Sequence, residues 1–280
     1  MLLDGRSGAV RYSIIVGGTL AWGVAVDGRT NRVFVTNFGE GSVYVVEAST
    51  GHIVRIVAVG QTPDAVAVDA ATGHVFVTNN GADTVTMLDA LNGTVLRTIK
   101  VGSQPAQIVV DERTQHVFVV HGRGGTRMFF TESSASGTTM LDARSGAVLH
   151  AVAAGGSPAD DVGYVTAVNL AVDARRGRVF VIDPTAPAAP DGAGSVSVLD
   201  ARTGRLRRTL SVGRHPIALG VDEVSARLFV VNTNSGCVRP SGPWDRLRGS
   251  VPRWLPFLPP ASQPTCQMPG TVTVIDTSRL

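Results

Sequence analysis

The chain has little of what usually announces a chemistry. Its 280 residues hold only two cysteines, enough for one disulfide at most. Its histidines show no dense metal-ligand spacing such as His-x-x-x-His, and no Gly-x-Ser-x-Gly elbow, phosphate loop or dinucleotide fingerprint occurs. Gly122-Arg-Gly-Gly125 lies in a loop without the helix that a phosphate cradle needs. Lys100 is the sole lysine and the formal net charge is only +3, so the arginine bias reads as compositional rather than as a nucleic-acid surface. No stretch is long and apolar enough to span a membrane. No helical period of useful length appears either.

What the chain has in quantity is repetition. Five aspartates are each followed seven residues later by a phenylalanine in an apolar run: Asp27/Phe34, Asp69/Phe76, Asp111/Phe118, Asp173/Phe180 and Asp222/Phe229. The cleanest unit runs Ala65-Val-Ala-Val-Asp69, Val75-Phe-Val-Thr-Asn79, Thr84-Val-Thr-Met-Leu-Asp89 and Thr94-Val-Leu-Arg-Thr-Ile-Lys-Val-Gly102. Each segment is short, rich in β-branched residues and bounded by Gly, Asn or Asp, the pattern of four strands, a to d, joined by hairpin turns. Strand a is almost wholly apolar, which buries it on both faces, whereas strand d alternates through Val95, Arg97 and Ile99 and belongs outside. Units of this kind, about 42 residues long, predict an all-β protein built as a β-propeller of four-stranded blades.

Phe34-Val-Thr-Asn37 and Phe76-Val-Thr-Asn79, with the strand-a aspartate and an Asp-Ala-x-x-Gly turn, resemble the YVTN-type β-propeller repeat over nearly the whole chain. Phe118-Val-Val-His121, Phe180-Val-Ile-Asp183 and Phe229-Val-Val-Asn232 depart from that pattern. The resemblance implies a scaffold found in secreted and cell-surface proteins, with lactonases, lyases and redox subunits among similar propellers. It names no single reaction.

Leu2-Leu-Asp4, Gly8 and the stretch Ala9 to Val16 match the turn and strand d of a blade, and Thr271-Val-Thr-Val-Ile-Asp276 matches a strand c with no strand d after it. The expectation is a single propeller domain over residues 1–280, with five blades, closed by the N-terminal strand pairing with Thr271 to Ile275. The alternative is an arc of a larger propeller.

The a-to-b and c-to-d spacings are constant, but the b-to-c and d-to-a connections grow at His121–Gly137, Gly155–Thr166, Asp183–Gly194 and Thr233–Gly270. In an up-and-down sheet these two loop types share a rim, so every sizeable insertion decorates one face. On that rim His121, Asp160, Asp161 and Asp183 are candidate proton-transfer groups, and imidazole with carboxylates is also a metal-binding set. Hydrogen-bonded loop closure is the competing role, and no metal or cofactor is expected. Trp22, Asp64, Gln107 and His215 should ring the channel mouth. The recurrent strand-a aspartates read as turn acceptors rather than a carboxylate array.

Cys237 and Cys266 flank the longest insertion, about residues 233–270, a proline-rich segment carrying Arg239, Trp244, Arg246, Arg248, Arg253, Trp254 and Phe257. A disulfide there would staple a lid and would place the protein outside the reducing cytosol, extracellular or periplasmic. Met1-Leu-Leu-Asp-Gly-Arg lacks the basic start and apolar core of a signal peptide. A cytosolic chain with free thiols, a start further upstream and a mature region all remain open. The sequence thus points to a non-catalytic binding module whose insertion-bearing rim engages a protein, glycan or small ligand, through residues that include Trp22, His215, Arg239, Trp244, Arg246 and Trp254. Nucleic acid is not expected. The competing class is a hydrolase, lactonase or lyase working at the channel mouth, and a third is a purely structural surface-layer component, which would self-associate without a ligand.

Overall fold

The structure, a computed structural model, describes residues 2–3, 6–18, 20–121, 137–153, 169–183, 193–214, 216–233, 270–278 and 280, with the main chain alone at 2–3, 11–12, 152–153 and 183. A short hairpin, β1 (Leu2–Leu3) and β2 (Val10–Tyr12), leads into five sheets. Blade 1 holds β3 (Ala21–Asp27), β4 (Arg32–Asn37), β5 (Ser42–Glu47) and β6 (Ile53–Ala58). Blade 2 holds β7 (Pro63–Asp69), β8 (His74–Asn79), β9 (Thr84–Asp89) and β10 (Val95–Lys100). Blade 3 holds β11 (Pro105–Asp111), β12 (His116–His121), β13 (Gly137–Asp142) and β14 (Val148–Ala153). Blade 4 holds β15 (Leu170–Asp173), β16 (Arg178–Asp183), β17 (Gly194–Asp200) and β18 (Leu206–Val212). Blade 5 has three strands, β19 (Pro216–Asp222), β20 (Arg227–Asn232) and β21 (Thr271–Asp276). Every pairing is antiparallel between consecutive strands, and the first strands of neighbouring blades lie against one another. This is the β-propeller the repeat predicts, with strand a innermost.

The turns explain why the repeat carries its aspartates. In the a-to-b turn Asp69 Oδ1 accepts the N–H groups of Ala71 and Thr72 at 3.0 and 3.2 Å. Asp27 and Asp111 make the same pair of bonds. At the residue after the second donor the chain passes through the left-handed region, and Asn31, Gly73, Gln115, Gly177 and Ala226 all do so with φ between 55° and 74°. In the c-to-d turn Asp89, Asp142 and Asp200 accept in the same way. A carboxylate already holding two main-chain donors is a turn fixture.

Between blades the core is one interface repeated. One sheet face of blade 1, with Ala25, Phe34, Val43, Val45 and Val57, packs on Val66, Val68, Val75, Val77 and Leu88 of blade 2. The same halves meet around Phe76 against Val117 and Val119, Phe118 against Val179 and Val181, and Phe180 against Leu228 and Val230. Polar clasps reinforce the seams. His74 Nδ1–H donates to the Ala143 carbonyl at 2.9 Å, His116 Nδ1–H to Ala201 at 2.8 Å, and the Arg178 guanidinium to Thr277, each reaching from one blade to the next.

The ends of the array differ from the expected closed ring. Val10–Tyr12 pairs with Leu2–Leu3, not with Thr271–Ile275, and β21 is an edge strand. A hairpin closed through a turn ending at Gly8 costs far less chain entropy than pairing across the whole chain. Its register, Leu3 opposite Val10 and Leu2 opposite Tyr12, repeats that of Leu141 with Val148 and Met140 with His150, so the hairpin has the pairing of a blade's outer corner. Among the described residues no apolar cluster joins blade 5 to blade 1. Phe229 is 37 % exposed, whereas Phe34, Phe76, Phe118 and Phe180 are fully buried.

Replacing Phe76 by Ala should therefore destabilise the fold by about 3–5 kcal/mol, while Phe229→Ala should cost less than about 1.5 kcal/mol. Urea unfolding of the two variants, compared with the parent chain, checks the difference.

Candidate functional site

Strand pairing puts the b-to-c and d-to-a connections on one rim, as the loop lengths predict. The paired strand ends Asn37/Ser42, Asn79/Thr84, His121/Gly137, Asp183/Ser195 and Asn232/Thr271 all lie there. Of the sequence-derived candidates, His121, Trp22, Asp64 and Gln107 are described in full, Gln107 half-buried in β11, and Asp183 is described only as the last residue of its strand. Asp160, Asp161, His215, Cys237, Arg239, Trp244, Arg246, Trp254 and Cys266 lie outside the described residues, as do Arg248, Arg253 and Phe257.

His121 occupies the strand-b position that Asn37, Asn79 and Asn232 hold in other blades. It is buried, with Nε2 2.7 Å from Thr139 Oγ1 on the neighbouring strand. Asn79 bonds in the same direction, its Nδ2 donating to Thr84 and Thr86 Oγ1 at 3.0 and 2.8 Å. Asn232 donates to Thr273 Oγ1 at 2.9 Å. In each case the side chain fills the space beside a strand-d terminal glycine, Gly60 against Asn79, Gly102 against His121 and Gly213 against Asn232. Burial lowers the His121 pKa to about 4, so the imidazole is neutral at physiological pH. One ring nitrogen of this proton-transfer candidate is thus engaged with the neighbouring strand, and Nδ1 is buried without a hydrogen-bond partner.

The channel-side end of blades 1 and 2 is arranged otherwise. Trp22 near the start of β3, Phe38 after β4 and Asp64 near the start of β7 come together on the insertion-bearing rim. The Trp22 indole N–H donates to the Asp64 carboxylate, and the Trp22 and Phe38 rings lie 6.3 Å apart, tilted by 43°. The Trp22 side chain remains largely exposed. Asp64 is buried and its Oδ1 has no partner. Burial raises its pKa to about 6, with the Trp22 bond pulling the other way.

Thr36 secures this corner. Its Oγ1 accepts from Gly23 N–H at 2.7 Å and donates to the Asp64 carbonyl at 2.8 Å, tying strands of adjacent blades. Thr78 repeats the bond between Ala65 and Ala106. The sequence reading places Trp22 and Asp64 at the channel mouth. It did not single out Phe38, whose signal is only an aromatic in a turn where the next blade has Asn80.

Among the described residues no three His, Cys, Asp or Glu side chains are grouped to hold a metal, and no helix is long and apolar enough to cross a membrane. No family model matches the chain, and no curated protein matches it. Among solved structures it is similar to a chain of Kuenenia stuttgartiensis hydrazine synthase, with 18% sequence identity and a TM-score of 0.59 over 80% of this chain and 59% of that one. At that identity the likeness concerns the fold alone.

The two shifted groups oppose each other in pH dependence. His121 is held below its unfolded pKa of 6.5, so its burial destabilises the fold increasingly as pH falls from about 6.5 to 4. Asp64 is held above its unfolded value of 3.8, so its penalty is absent at low pH and grows as pH rises through about 4 to 6. Asp64→Asn, which keeps an acceptor for Trp22, should stabilise the protein by up to about 3 kcal/mol at pH 7.5 and by little at pH 4. His121→Asn should flatten the acid limb. Melting temperatures across pH 4–8 check both.

Proposed function

We propose that this propeller is a non-catalytic binding module of YVTN type, and that its insertion-bearing rim captures a small, ring-bearing ligand such as a glycan. The observation that carries this reading is the exposed Trp22, anchored at its N–H by Asp64 and steadied at its face by Phe38. An indole fixed in this way offers a flat apolar surface that has already lost its rotamer freedom, so stacking a sugar ring on it costs little further ordering. The Asp64 carboxylate behind it, buried and with its Oδ1 unpartnered, holds the indole N–H. Protein partners fit the same rim less specifically.

Asp64 also favours a second reading. A carboxyl titrating near pH 6 at a channel mouth is poised for proton transfer, which makes Asp64, rather than His121, the residue on which a hydrolase or lyase would depend. The two readings separate on Asp64→Asn, which should leave a binding module able to bind and an enzyme unable to turn over.

Export is part of the proposal, supported by two cysteines placed at the two flanks of the longest insertion, between the paired residues Asn232 and Thr271. A disulfide closing a loop of that size stabilises by about 3 kcal/mol in the chain-entropy model.

Titration of the chain with an array of mono- and oligosaccharides, read by tryptophan fluorescence and calorimetry, should give at least one ligand whose affinity falls about tenfold or more in Trp22→Ala. Binding that ignores Trp22 would move the site elsewhere on the rim. Cys237 and Cys266 should resist alkylation until a reductant is added, and free thiols in protein purified under oxidising conditions would remove the argument for export.

A further inference from the structure

The rim opposite the insertions is built differently. Each strand b starts beside both turn aspartates, as His74 pairs with Asp69 and with Asp89, so the a-to-b and c-to-d turns lie side by side. Their lengths are the same from blade to blade, which makes this rim level. The turns are also tied to one another. Ala70 N–H donates to Glu112 and Ala174 N–H to Glu223, each at 3.0 Å, and the Arg55 and Arg97 guanidinium groups donate to the carbonyls of Asn92 and Ser145 in the next blade. Blades 2, 3 and 4 have neighbours on both sides, so this face owes nothing to the ends of the array.

Opposite charges are treated differently on this rim. The carboxylates are drawn into it: Asp142 and Asp200 Oδ1 each accept two main-chain N–H groups of their own turn, Asp111 and Asp173 are buried, and Glu112 and Glu223 accept from the neighbouring blade. The arginines are left in solvent. Arg113, Arg144, Arg175, Arg202 and Arg205 are exposed in the turns of blades 3 and 4. Apart from a loose approach of Arg175 to Glu223 at 3.9 Å, their guanidinium groups have no hydrogen bond or ion pair among the described residues. Apolar side chains stand beside them. Leu91 in the blade 2 turn is 63 % exposed, and Val95, Leu96, Val148, Leu149 and Leu206, at the turn ends of the outer strands, are 46–53 % exposed.

We propose that this rim is a docking face for an anionic lipid bilayer, which holds the propeller with its insertion-bearing rim turned away into solvent. Arginines spread over a level face are attracted to a negative surface without needing a pocket, and the leucines and valines at their border enter the headgroup boundary once that surface is reached. A soluble polyanion would engage the arginines and leave the apolar side chains in water, so the mixture of the two favours the bilayer. Because hydrogen bonds between blades already hold the turns, docking orders little beyond the side chains that touch the lipid. Attachment of this kind is peripheral and requires no membrane-crossing segment.

Flotation of the 280-residue chain with vesicles tests this, using phosphatidylcholine alone and phosphatidylcholine with about one third phosphatidylglycerol. The chain should float with the anionic vesicles only, and added salt should weaken the attachment. Arg144→Glu combined with Arg202→Glu should lower the affinity about 25-fold or more, at about fivefold for each arginine lost. The turns use only the main-chain N–H of these two residues, so the fold is retained, and unchanged circular dichroism checks it. Leu96→Ser combined with Leu149→Ser should lower the affinity about tenfold and leave its salt dependence unchanged. Lys100→Glu makes the same charge change at the far end of β10, toward the opposite rim, and should have no effect. Failure to float with anionic vesicles, or an equal loss in Lys100→Glu, would overturn the proposal. So would binding that follows the arginines and ignores the leucines, with heparin bound equally well, which would assign the rim to a soluble polyanion.

Discussion

Everything in this structure depends on one contact, the face of a sheet carrying a phenylalanine laid against the valine face of the next sheet. A four-stranded antiparallel sheet has two apolar faces and cannot hide both by itself. Successive blades solve this by using each sheet twice, once as the phenylalanine half and once as the valine half. The side chains at these seams are fully buried, and the seams rather than the individual strands hold the hydrophobic stabilisation. Nearest-neighbour coupling of this kind is approximately additive along the array, so the central blades, covered on both sides, are the most stable and the two ends the least.

The polar chemistry of the repeat is subordinate to that packing. Strand-a and strand-c aspartates are spent on turns, His74, His116 and Arg178 on seams, and His121 on a cross-strand tie. Asp69 and Asp111 also keep one oxygen without a partner, but in a-to-b turns that recur; on the insertion-bearing rim the described residues hold one such buried carboxylate, Asp64, beside one exposed indole, and neither recurs in the next blade. That contrast explains why Asp64 and Trp22 attract a functional reading and the recurring aspartates do not. A group that recurs in every blade answers a need of the fold, and a group found in one blade is available for something else.

The sequence made the strands, the turns and the shared rim legible, because period-two apolar runs and positioned aspartates are local signals. Phe76, Asp69 and Gly73 each declare their place without knowledge of any partner. The arrangement of the ends was not legible in the same way. Leu2–Leu3 and Thr271–Asp276 are both acceptable strand-c segments, and which of them pairs with Val10–Tyr12 depends on chain entropy and on the angle between blades. His121 illustrates the limit for the site. Its residue type suggests acid–base work, while its burial, its bond to Thr139 and its packing against Gly102 could not be read there, since neither neighbour is marked in the sequence. Asp64 gains its interest from burial and from Trp22, more than forty positions away in the chain.

Thr36 and Thr78, which join each inner strand to the next, have a consequence for how the rim is able to change. Where the motif ends in Thr-Asn, as in blades 1 and 2, the threonine bonds the next inner strand and the connection after it is short; in blade 1 the Glu40 N–H donates to Asn37 Oδ1 within that turn. In blades 3, 4 and 5 the threonine position is Val120, Ile182 or Val231, which offers the next inner strand no hydrogen bond, and it is after these residues that the long connections occur. Giving up one hydroxyl uncouples the loop from the seam. The sheet arrangement can then stay fixed whatever the length of the loops above it, and three of the five blades carry long loops over an unchanged core pattern.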